Sequence, residues 1–134
     1  MIHLRIPWRW QVSVVLTVTH LVVALLHINP RLIYPQRAQT TKVVLALSQL
    51  GPVWIAWFGL AGVTLVVTLH YNRAVHIAHM LGAASWLAYA FALEVGAWSS
   101  GGTHLLPVVT LALAALHVVL AASYSKDVGR RGTE

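Results

Sequence analysis

The chain has 134 residues, of which 58% are hydrophobic and 9% charged. A soluble domain carries about 25% charged residues, so this chain cannot cover a soluble surface and reads as a one-domain integral membrane protein. Its net charge of +6 comes from nine Lys and Arg against three acids. These positives flank hydrophobic runs, which points to anionic lipid headgroups and away from nucleic acid. Cysteine is absent, which excludes disulfides, thiolate metal sites, iron–sulfur ligation and covalent haem attachment.

A transmembrane helix needs about 20 mostly apolar residues. Four stretches qualify, 11–28, 53–70, 74–98 and 105–124, and they predict an all-α bundle of four transmembrane helices. The first follows Arg5 and Arg9 as a signal peptide would. Its apolar run is long, however, and "HINPRLIYP" offers no small-residue cleavage site, so it reads as a retained span. Next comes "TTKVVLALSQLGP", either a short interfacial helix capped by Thr40 or Thr41 or an extension of the second span kinked at Pro52. An unbroken helix from Thr41 to His70 would measure about 45 Å against a hydrocarbon core of about 30 Å. That mismatch favours the interfacial helix. "HYNR" and "SSGGTH" carry the residues of turns and separate the later spans. Residues 125–134 form a short basic tail.

With four spans, both termini and the second connection share a side. That side carries Arg5, Arg9, Arg73, Lys126, Arg130 and Arg131, and the other carries Arg31, Arg37 and Lys42. The excess of positive charge places both termini in the cytoplasm and the protein in the cytoplasmic (inner) membrane as a multi-pass chain. Trp8, Trp10, Tyr71 and Tyr124 fall at one membrane interface. Tyr34, Trp54, Trp57 and Trp98 fall at or near the other, as an aromatic belt requires.

Each span has a seam of small and polar residues. In the first, Ser13, Thr17, His20, Ala24 and His27 are spaced four, three, four and three, which is one helix face. The fourth repeats the rhythm with Thr110, Ala114, His117, Ala121 and Tyr124. The third has Ala78, Gly82, Ser85, Tyr89, Ala92 and Gly96, and the second has Trp57, Ala61, Thr64 and Thr68. Small residues allow close helix approach, and Ser, Thr and His can bond across the contact. The seams are expected to meet inside the bundle, with a wet cavity or an oligomeric pore as the alternative.

Three histidines fall at similar depth. At about 1.5 Å per residue, His20, His117 and His79 lie about 13, 10 and 9 Å inside the inner boundary. Ionisable residues at such depth are functional candidates by default. His20 and His117 have the type and depth to be axial ligands of a b-type haem. With His79 they could instead bind zinc or copper, relay protons, or merely hydrogen-bond across the seam. Glu94 is the one acid near a span, placed to pair with His27, His104 or Arg31.

No motif for hydrolysis, phosphoryl transfer or dinucleotide binding occurs, and the three acids cannot supply a carboxylate-pair mechanism. The pattern points away from an enzyme.

The stretch "LHINPRLIYPQRAQTT", followed by tryptophan-rich spans and a basic tail, resembles the small four-span membrane proteins of phages that infect high-GC actinobacteria. The resemblance covers nearly the whole chain. It implies a holin-like protein that accumulates in the membrane and oligomerises into lesions. Two other functions stand beside it: a b-haem electron-transfer protein or subunit, and a structural accessory subunit of a larger membrane complex.

Overall fold

The computed structural model describes residues 8–29, 42–49 and 51–131. They form five helices: α1 (Trp8–Leu26), α2 (Lys42–Gln49), α3 (Val53–Tyr71), α4 (Val75–Ser100) and α5 (Leu105–Arg131). All but α2 are long and apolar enough to cross a membrane, and the protein is an all-α, four-span helical bundle. Helix α5 runs beyond Tyr124 to Arg131, so the expected basic tail begins as helix.

The segment before the second span forms a helix of its own. Gly51 takes φ +137°, a conformation that favours glycine. Pro52 follows as the N-cap of α3, and its carbonyl accepts the Ala56 N–H at 2.8 Å. This break separates α2 from α3, and α2 does not extend the span. Val44 of α2 is fully buried, and its carbonyl accepts the Trp54 indole N–H at 3.2 Å. The proposed Thr40 and Thr41 caps lie outside the described residues.

The turn from α3 to α4 is tight. Asn72 and Arg73 donate their backbone N–H groups to the Leu69 and Thr68 carbonyls. Asn72 and Ala74 both lie in the left-handed region, at φ 49° and 55°. Asn tolerates that conformation, whereas Ala pays for its Cβ there.

Helix α4 is the centre of the molecule: 56% of its apolar window is buried, against 28% to 33% in the other spans. It packs along α5, while α1 packs along α3, and contact between α3 and α4 joins the two pairs. Glycines permit this closeness. A Cβ on Gly62 of α3 would land 2.7 Å from Leu21 of α1. Helix α1, by contrast, approaches the backbones of α4 and α5 at few points. Side chains fill that layer. Outward faces carry Val15, Val18, Val22 and Leu25 on α1 and Val108, Val118 and Val119 on α5, all exposed in a belt suited to lipid.

Candidate functional site

The seams of the first, third and fourth spans are buried. Ser13, Thr17, His20 and Ala24 of α1 and His27 just past its end all lie inside, as do Thr110, Ala114, His117, Ala121 and Tyr124 of α5. Ser85 and the rest of the α4 seam join them. Helix α3 uses another stripe, Trp54, Phe58, Ala61, Gly62 and Leu65. Of the expected stripe only Ala61 is buried, while Thr64 and Thr68 are half-exposed and Trp57 is exposed.

The seam hydroxyls mostly bond within their own helix. Thr17, Thr64, Ser85 and Thr110 each donate to the carbonyl four residues back, at 2.7 to 3.1 Å. In an apolar setting that carbonyl is the nearest acceptor. Ser13 is the exception that also reaches another helix.

Around Ser13 the hydrogen bonds define a direction. Its hydroxyl donates to the Arg9 carbonyl at 2.7 Å. With its proton on that carbonyl, Ser13 accepts from His79 Nε2, 2.8 Å away. His79 therefore carries its proton on Nε2 and offers a lone pair at Nδ1. In that arrangement His117 Nδ1, 3.0 Å from His79 Nδ1, is the donor. Tyr124 adds a contact from its hydroxyl to Ser13 Oγ at 3.3 Å. The guanidinium of Arg9 sits 4.9 Å from the centre of the Tyr124 ring.

One consequence concerns the opposite side of the rings. A neutral His117 with its proton on Nδ1 presents a bare lone pair at Nε2. His20 donates from Nδ1 to the Leu16 carbonyl at 2.9 Å, so its Nε2 is a bare lone pair too. Both Nε2 atoms are buried without a hydrogen-bond partner. The two rings stand edge to face, 4.9 Å between centroids. All three imidazoles are fully buried. Trp86 Nε1 and His76 Nδ1 are also buried without partners.

Glycine makes room for this arrangement. A Cβ on Gly82 would fall 2.5 Å from His117 Cε1 and 2.6 Å from its Nδ1. A Cβ on Gly62 would fall 3.3 Å from His20 Cβ. Aromatic rings close the site, Trp86 at 5.5 Å and Phe58 at 5.6 Å from the His20 ring.

His20, His79 and His117, which the sequence places at similar depth on three spans, are in contact in the structure. His27 is apart. It donates to the Val23 carbonyl at 2.7 Å and lies among Phe58, Tyr89 and Trp54, with Phe58 between it and His20. Glu94 pairs with His104 at 2.9 Å and accepts the Trp98 indole N–H at 2.6 Å, on the surface and away from the imidazoles. Gly62 and Phe58 were missed. Their signal lies in Trp54, Phe58, Ala61 and Leu65, which repeat the four-three-four rhythm without the polar residues that mark the other seams.

The donor set limits what can bind. A metal held by protein alone needs three or four ligands. Among the described residues no group of three or more His, Asp or Glu is placed to hold an ion. Both ring nitrogens of His79 are engaged, which leaves two free imidazole donors. Two histidines are the number a b-type haem would take from the protein, but the His20 and His117 rings, 4.9 Å apart in a layer closed by Trp86 and Phe58, leave no space for its macrocycle unless that layer opens. Comparison with known protein families, with curated proteins and with solved structures returns no match.

Proposed function

We propose that this protein is a membrane-embedded b-type haem carrier, with His20 and His117 as axial ligands. The observation that carries the reading is the pair of neighbouring Nε2 lone pairs, buried and unpartnered, on different helices. Each unsatisfied acceptor costs about 1 to 3 kcal/mol. A Lewis acid between them removes both penalties at once. Each ring already has its other nitrogen bonded, as metal-ligating histidines do. The rings must part to admit iron, and they belong to α1 and α5, whose backbones are held apart by side chains. Bound haem would supply one-electron transfer. The chain would supply the two ligands, with Phe58 and Trp86 as the aromatic groups beside them.

Under this reading both termini face the cytoplasm and the basic ends meet anionic headgroups. The carrier acts as a subunit beside a redox partner or a further copy of itself. The lesion-forming reading has less support. It calls for polar faces turned outward when copies assemble, whereas the polar seams of α1, α4 and α5 meet within one copy.

Haem content after expression with haem precursor tests the proposal. His20→Leu and His117→Leu should each lose more than nine-tenths of the pigment, while His27→Leu keeps it. Equal pigment in all three variants would remove the assignment. Collapse of membrane potential on expression, unchanged in His117→Leu, would favour lesion formation instead.

A further inference from the structure

Helices α1 and α3 close on each other at mid-span and part toward one end. The close point is Gly62, where a Cβ would fall 2.7 Å from Leu21. From there to Trp10 and His70 the two helices leave an open groove of about 360 Å³, lined by Trp10, Thr17, Leu21, Val66, Leu69 and His70 among others. None of the three central imidazoles lines it, so its occupancy does not depend on the haem reading. We infer that this groove seats one acyl chain of an anionic phospholipid, with the phosphate met at the mouth by Arg73 and His70.

Length, lining and charge each support that occupant. Trp10 to Leu21 spans about 16 Å at about 1.5 Å per residue, roughly half of a hydrocarbon core of about 30 Å. The groove therefore runs the depth of one leaflet. Its walls are apolar from Leu21 down to the mouth, because the one hydroxyl, that of Thr17, donates to the Ser13 carbonyl at 2.7 Å. Trp10 and Tyr71 are exposed at the lower end, as interfacial aromatics are. His70 is exposed there too, in the last turn of α3. Arg73 follows three residues on, and its backbone N–H bond to the Thr68 carbonyl holds it against that turn. Among the described residues no carboxylate pairs with Arg73, and Glu94 is engaged with His104 at the opposite end of α4. Arg9 is turned the other way, over the Tyr124 ring of α5. Arg73 thus stands as an unpaired cation at headgroup depth, and a guanidinium matches a phosphate with paired hydrogen bonds. Lipid coats every outward face of a span. A cleft between two helices with a cation at its mouth selects the headgroup as well.

The test is native mass spectrometry of the full chain, released from detergent micelles doped with equal phosphatidylglycerol and phosphatidylcholine of the same acyl chains. One phosphatidylglycerol should remain bound, favoured about fivefold over phosphatidylcholine, the effect of one cation beside an anionic lipid. Arg73→Gln should erase that preference. Lys126→Gln, which removes an exposed cation from α5 at the same end, should keep it. Val66→Phe, which fills the groove from an exposed position, should displace the lipid of either headgroup. An unchanged preference in Arg73→Gln would overturn the site. Equal loss in Arg73→Gln and Lys126→Gln would reduce the effect to general attraction by a basic surface and overturn it as well. So would a lipid that stays on Val66→Phe, or a second copy of the chain bound in its place. If Val66→Phe fails to accumulate, the Arg73 and Lys126 variants decide by themselves.

Discussion

Gly82 shows how a single missing methyl group shapes this core. The position where its Cβ would stand is taken by the imidazole of His117, at 2.5 Å. A ring held by a hydrogen bond to His79 cannot give way like the tip of a flexible chain. Gly82→Ala should therefore lower stability by about 1 to 3 kcal/mol, the usual cost of overpacking, and displace His117. Thermal unfolding in detergent would read this as a lower midpoint together with reduced pigment. Gly59 is the control. A Cβ there meets only Ala24 Cβ at 4.0 Å, so Gly59→Ala should be neutral or raise stability by up to about 1 kcal/mol through helix propensity. Glu94→Gln breaks a surface pair remote from the imidazoles and should leave both pigment and unfolding midpoint unchanged. The sequence exposed the histidines but not their tautomers. Depth follows from counting residues along a helix. The lone pairs depend on which neighbour takes the Ser13 proton, which only the packing of three helices brings together.

Among the elements, the seams of α1, α4 and α5 were legible because small and polar residues recur at four and three in otherwise Val- and Leu-rich spans. The seam of α3 was not, because its inward face is aromatic and aliphatic. In a membrane such residues suit either lipid or core, so hydrophobicity cannot tell the two faces apart. The break between α2 and α3 was half legible: Gly51 and Pro52 announced a discontinuity, but either a kink or a new helix satisfied it. The α3–α4 turn carries a local conflict that the sequence hides. Ala74 occupies the left-handed region at φ 55°, where an L-residue pays roughly 1 to 2 kcal/mol. Ala74→Gly should relieve it and raise the unfolding midpoint, by about 1 kcal/mol once the extra freedom of the unfolded glycine is set against the gain. An unchanged or lowered midpoint would contradict the strain.

At the scale of the molecule, two tightly packed helix pairs, α1 with α3 and α4 with α5, face each other across a layer of rings. That layer holds His20, Phe58, Trp86 and His117, and its two free imidazole nitrogens are its one chemical distinction. Everything around it, from the glycine contacts to the apolar outer belt, reads as ordinary membrane packing. Fold class was therefore readable from composition, whereas the proposed function depends on a few atoms in the centre. The most direct measurement is the absorbance spectrum of the wild-type protein, purified in detergent from cells supplied with haem precursor, oxidised and then reduced with dithionite. A Soret band with sharp α and β bands on reduction, at about one haem per chain, is the expected result. A spectrum showing only tryptophan and tyrosine would contradict the carrier reading and leave His20 and His117 as packing groups of the bundle.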